Sequence, residues 1–245
     1  MCTAILVFRP AEDWPVRFCS TRDEVRTRPW RPPGTWWPER GPHVVGGLDE
    51  GAGGTWLAVD PRSARAAVVL NRTEPVGAGA CRSRGWLPLQ AVSQQDFILS
   101  PAEAETFPPF NLLCMSPARC SWWRWDGTEL SSRSLGPGTY ILTSADINDT
   151  NGSLRQRRWL PRFTEAEQPE PSREDFRGAW GGWPGLLADP DSPFDDWTAL
   201  NVKGFSHLPG YGTSSAALVA LSAEGTARYE FCEGPPHSGA WRRVL

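Results

Sequence analysis

Between residues 4 and 71 the apolar residues fall into short runs, each closed by residues that favour turns. Ala4-Ile5-Leu6-Val7-Phe8 is followed by Val16-Arg17-Phe18-Cys19-Ser20-Thr21, then by Thr55-Trp56-Leu57-Ala58-Val59-Asp60 and Ala66-Ala67-Val68-Val69-Leu70-Asn71. These are strand-length runs rich in β-branched and aromatic residues. Parallel neighbours need a crossover of a dozen or more residues, normally a helix. No helical pattern separates these runs, so they predict antiparallel pairing. Asp60-Pro61-Arg62-Ser63 is a turn, and Gly46-Gly47-Leu48-Asp49 reads as another. Pro29, Pro32, Pro33 and Pro38 forbid a helix or a central strand across residues 26–42.

Helical chemistry comes later. Leu89, Val92, Phe97 and Ile98 give residues 88–107 a rough helical spacing, and Ser100-Pro101-Ala102-Glu103 has the form of an N-cap with proline at the first helical position. Ser153 caps a helix over roughly 154–166, with Arg155, Arg157 and Arg158 on one side and Leu154, Trp159 and Phe163 on the other. A short helix within 176–187 is weakened by Gly181-Gly182 and Pro184. Strands recur at 110–115, at 121–125 and 129–133 around Asp126-Gly127, at 139–143, and at 214–221 and 226–231 around Ala223-Glu224-Gly225. Strands and helices are thus segregated, which predicts an α+β fold with large antiparallel sheets. The 245 residues form one expected domain, 1–245, with no internal repeat.

The net charge is −3, and Lys203 is the single lysine among 25 basic residues. The arginines are scattered among carboxylates, which argues against a nucleic-acid partner. No apolar stretch approaches the roughly 20 residues of a membrane span, and the start lacks the features of a signal peptide. A cytoplasmic location is expected. The six cysteines have no C-x-x-C spacing and should be free thiols. His43, His207 and His237 are too dispersed for a metal cluster, so neither a metal nor another cofactor is expected. Tryptophan clusters such as Trp36-Trp37 either cover the edges of the core or wall a pocket.

Cys2 is the candidate nucleophile. Removal of an initiator methionine before a small residue leaves an α-amine and a thiol on one residue. Their reference pKa values are roughly 8 and 8.5, so the amine can serve as base for the thiol near neutral pH. The alternative is a small buried hydrophobe in a strand. If the first two strands pair, Arg22, Asp23 and Glu24 lie beside the chain's beginning.

Met1-Cys2-Thr3, Ser20-Thr21-Arg22-Asp23-Glu24, Gly53-Gly54-Thr55-Trp56-Leu57, Asn71, Phe110-Asn111-Leu112, Pro137-Gly138-Thr139-Tyr140 and Pro209-Gly210-Tyr211-Gly212-Thr213 together resemble the NRDE family, which includes the transport and Golgi organisation 2 homologues. The matches run in family order from residue 1 to about 231. The resemblance implies the fold of the N-terminal nucleophile hydrolases: a four-layer αββα sandwich of two antiparallel sheets flanked by helices. It implies a nucleophile at Cys2, with Arg22 and Asp23 lining its site and Asn71 donating to an oxyanion. The pattern departs at three positions. Thr21 stands for the usual Asn, Thr143-Ser144 for the usual Ser-Asn, and Ser214 for the usual Arg. Thr21, Ser144 and Ser214, with Trp36 and Trp37 from the tryptophan-rich loop, are the expected substrate-binding residues. Three readings follow as alternatives: an amide hydrolase or acyltransferase acting on a small molecule, a carrier of haem or another hydrophobic ligand, or a structural or interaction protein with a degenerate site.

Overall fold

A computed structural model describes residues 2–39 and 41–245. In chain order, β1 (Thr3–Phe8) and β2 (Val16–Val25) are followed by β3 (Trp30–Gly34), β4 (Val45–Asp49), β5 (Leu57–Asp60) and β6 (Arg65–Asn71). Then come α1 (Trp86–Ser93), α2 (Pro101–Ala104), β7 (Phe110–Met115), β8 (Cys120–Trp125), β9 (Leu130–Leu135) and β10 (Gly138–Leu142). The helices α3 (Leu154–Glu165), α4 (Phe176–Trp180) and α5 (Trp183–Ala188) precede β11 (Tyr211–Leu221), β12 (Ala227–Glu233) and β13 (Ala240–Arg243). One sheet has the order β10-β1-β2-β11-β12-β13 and the other β3-β4-β5-β6-β7-β8-β9. The first sheet opens on the β1–β2 hairpin, in which Thr3 faces Thr21 and Phe8 faces Val16.

The layers follow from the period of two along each strand. Ala4, Leu6 and Phe8 of β1 enter the core between the sheets, where they join Phe18, Val219 and Phe231 from their own sheet and Leu57, Val68, Leu113 and Trp122 from the other. Ile5 and Val7 point the opposite way, onto Trp159 and Phe163 of α3 and onto Trp180 and Trp183. On the far side of the second sheet, Ala67, Val69 and Leu112 pack against Leu87 and Val92 of α1. The order is helices, sheet, sheet, helix. With apolar layers on both faces, β1 is buried along its whole length, which is why it reads as an unbroken apolar run rather than an alternating one. Each fully buried Leu or Phe contributes about 1.5–3 kcal/mol of transfer free energy.

Several sequence expectations need correction. Gly46-Gly47 is not a turn: it lies inside β4. A Cβ on Gly46 would sit 2.6 Å from the Leu57 carbonyl oxygen, and one on Gly47 would run into the Trp56 ring. These glycines allow close approach rather than reversal. The proline-rich stretch 26–42 contains β3, which is tolerated because it is the edge strand of its sheet. The helical region 88–107 splits into α1 and α2, joined by an irregular segment that carries Phe97. In α3 the faces are rotated: Leu154 is exposed, while Arg155 and Gln156 are buried with Trp159 and Phe163. The final hairpin carries an extra strand, β13, paired with β12.

Candidate functional site

Cys2 precedes β1, and β2 continues past its hairpin partner, so residues 22–24 run beside Cys2. The Cys2 Sγ accepts a hydrogen bond from the Asp23 amide at 3.4 Å and lies 3.7 Å from the Asp23 carbonyl oxygen. Burial pushes the Cys2 thiol above its ordinary value, and the Asp23 carboxylate adds to the push; the Asp23 amide and the Arg22 guanidinium pull it down.

Successive residues of β2 face opposite layers. Arg22 points toward the second sheet. Its guanidinium lies 4.5 Å from the Trp56 ring centroid and 3.5 Å from Asp49 Oδ2. Asp23 points toward α3. Its Oδ2 lies 3.2 Å from Arg155 Nη1, and its Oδ1 accepts from Thr213 Oγ1 at 2.6 Å. Both members of the Asp23–Arg155 pair are buried, and Arg155 also donates to Thr3 Oγ1. The Tyr211 hydroxyl donates to the Asp23 carbonyl oxygen. Burial holds that phenol well above the usual tyrosine range, with the Asp23 charge adding to it.

A cavity of about 210 Å³ gathers Cys2, Arg22, Asp23 and Asn71 into one lining, together with Glu24, Arg28, Asp49, Trp56 and the Ser83-Arg84-Gly85 segment. Asn71 reaches it from the exposed end of β6. The remaining expected residues sit elsewhere. Thr21 is buried one step back along β2, with no hydrogen-bond partner for its hydroxyl among the described residues. Ser214 is the extra residue of a bulge between Thr213 and Ser215. Its Oγ accepts from Arg22 Nη1 and donates to the Arg22 carbonyl oxygen, so it braces Arg22 from behind. Ser144 is half-buried in the bend after β10. Trp36 is an exposed indole under the Arg31 guanidinium. Trp37 is buried against the α1 layer, and its Nε1 donates to the Gly53 carbonyl. None of these five is in the cavity lining.

Sequence reasoning missed Arg155 and Arg84. The sequence reading groups Arg155 with Arg157 and Arg158 on one side of α3, opposite Trp159 and Phe163. The signal for Arg155 was its spacing from Trp159, one helical turn on, which puts both on the inner face. Arg84 lies in the loop between β6 and α1, which carries none of the motifs read in the sequence. That loop is fixed to the motif Gly53-Gly54-Thr55: Thr55 N donates to the Gly85 carbonyl at 2.9 Å, and a Cβ on Gly54 would lie 2.8 Å from Gly85 Cα. The paired glycines let two backbones touch, and so bring Arg84 to the cavity.

Fold and site together define a two-sheet, helix-flanked sandwich with a thiol at its second residue facing a charged cavity. The sequence model of the Transport and Golgi organisation 2 family matches residues 1–234, and the chain belongs to that family. No curated protein matches the chain. No helix among the described residues is long and apolar enough to cross a membrane.

Proposed function

We propose that the protein is an N-terminal-cysteine amide hydrolase or acyltransferase acting on a small molecule, with Cys2 as its nucleophile. The supporting observation is the convergence of Cys2, Arg22, Asp23 and Asn71 on one cavity. In this reading Met1 is removed, and the new α-amine of Cys2 takes the thiol proton. The thiolate adds to the substrate carbonyl, the C–N bond breaks, and the leaving amine departs with that proton. Water, or an acceptor amine or alcohol, then attacks the thioester and restores the thiol. Arg22 and the Asp23 amide favour negative charge on sulfur. The Asp23 carboxylate, fixed by Arg155 and Thr213, orients the ammonium. The Asn71 side-chain amide donates to the oxyanion.

Intact-mass measurement should find Met1 absent from active protein. On a panel of small amides, thioesters and acyl donors, Cys2→Ala should lower turnover by about 10⁴-fold or more while leaving the melting temperature nearly unchanged. A wild type that turns over no member of the panel, or a Cys2→Ala variant as active as wild type, overturns the reading. The carrier of haem or another flat ligand remains the second reading. Trp36 and Trp37, the aromatic walls it needs, lie outside the Cys2 cavity, and nothing at the site favours it.

A further inference from the structure

Among the described residues, the charged side chains that line the Cys2 cavity pair off, with one exception. Arg22 lies 3.5 Å from Asp49 and 4.0 Å from Glu24. Arg28 lies 2.7 Å from Asp49 and 3.9 Å from Glu24. The third carboxylate of the lining, Asp23, is held at 3.2 Å by Arg155, which comes from the helical layer behind it. Arg84 is left over. It is half-buried and lines the same cavity as Cys2. One of its terminal nitrogens donates to the Pro109 carbonyl at 2.9 Å, which steadies the side chain without neutralising it. Among the described residues no carboxylate lies within ion-pair distance of its guanidinium.

A partly desolvated guanidinium without a counter-charge is costly unless something supplies one. Its five donors form a planar fork that matches an oxyanion, and one carbonyl occupies only part of it. The Gly54–Gly85 contact fixes the loop that carries it, so its position does not depend on a flexible tip. Burial holds its guanidinium below the usual arginine range, with Arg28 adding to that and Cys2 opposing it, as expected of a cation that shares the cavity with both.

We propose that Arg84 is the anion-recognising residue of the cavity, and that the small molecule attacked by Cys2 carries an oxyanion group, a carboxylate or a phosphate, seated on Arg84. This rests on the Cys2 reading for the word substrate, but the anion site itself can be tested without turnover. Iodoacetate and iodoacetamide alkylate the same thiolate and differ in one negative charge. The ratio of their rate constants at Cys2, read by peptide mapping, cancels any change in thiolate fraction. Removing one charge-assisted hydrogen-bond donor changes binding by about tenfold or more. The iodoacetate-to-iodoacetamide ratio at Cys2 should therefore fall about tenfold in Arg84→Gln and be largely kept in Arg84→Lys. The ratio at exposed Cys81 is the internal control.

A second measurement needs no variant. In wild type, acetate or inorganic phosphate at fixed ionic strength should slow alkylation of Cys2 by iodoacetamide, whereas acetamide should not. Protection by acetate alone identifies a carboxylate ligand; protection by phosphate identifies a phosphate. An unchanged ratio in well-folded Arg84→Gln overturns the proposal. So does equal, or absent, protection by acetate, phosphate and acetamide. Failure of every amide to turn over, with anion protection intact, removes the hydrolase reading and leaves the anion site standing.

Discussion

Asp23 fixes the geometry of the site through both of its carboxylate oxygens, one bonded to Thr213 and the other to Arg155. Removing one partner of a buried ion pair leaves an uncompensated charge, which costs about 3–5 kcal/mol. Arg155→Ala should lose about that much in urea unfolding, and adding Asp23→Asn should recover part of it, since the two changes share one interaction. A loss within experimental error for Arg155→Ala would contradict the buried pair. At Cys2 the balance lies with burial, so the folded thiol ionises above its ordinary value of roughly 8.5. Alkylation of Cys2 should therefore still be rising with pH beyond that value rather than levelling off below it. Arg22→Ala should move the curve further up, because the cation favours thiolate. A plateau already reached at neutral pH would show an activated thiolate instead. Sequence motifs made Cys2, Arg22, Asp23 and Asn71 legible as a group, because the first three belong to short strings of characteristic residues and Asn71 follows them in family order at the end of a strand. Arg155 and Arg84 were not, because their role depends on which face of α3 turns inward and on which two loops touch.

The strands of the fold were legible wherever an apolar run met a turn signal, as at β1, β2, β6 and the Asp126-Gly127 hairpin, where Gly127 adopts φ 96°. They were not legible where glycine and proline had other reasons to be present. Glycine signals a turn when it supplies a positive φ, but Gly46 and Gly47 are not among the residues with positive φ. What requires them is the Trp56 ring and the Leu57 carbonyl on the neighbouring strand, a contact between residues distant in pattern though near in sequence. β4 therefore gives a direct test. A methyl group at Gly46 meets backbone at 2.6 Å, which cannot rotate away, so Gly46→Ala should destabilise the protein by about 1–3 kcal/mol as overpacking does. At a true turn with positive φ, such as Gly225 where nothing lies within 4 Å, the same substitution strains the backbone without a clash. Equal urea midpoints for wild type and Gly46→Ala would mean that β4 is not pressed against β5.

Burying both faces of two sheets places thiols as well as hydrocarbons in apolar surroundings, and this sets how the molecule responds to alkali. Cys120 and Cys232 are buried. Burial raises the Cys120 thiol to about 12 and the Cys232 thiol to about 11. Cys19, between β2 and the α3 layer, is raised well above its ordinary value for the same reason. Below about pH 8 each thiol is protonated in both folded and unfolded chains and contributes nothing to pH dependence. Above about pH 9 the unfolded chain ionises while the fold keeps its protons. The unfolded state then binds fewer protons, and stability falls as pH rises. Each such thiol contributes at most about 1.4 kcal/mol per pH unit. Cys120 and Cys232 together should therefore lower the unfolding free energy by about 2 kcal/mol between about pH 9 and about pH 10. The loss should continue until the folded-state values are reached. Urea unfolding under reducing conditions at these two pH values measures it. The Cys120→Ala, Cys232→Ala double variant separates the thiols from other alkaline effects, since its own stability should fall less steeply over the same interval. A wild type and double variant with parallel pH dependence would mean that these two thiols ionise as readily inside the sandwich as outside it.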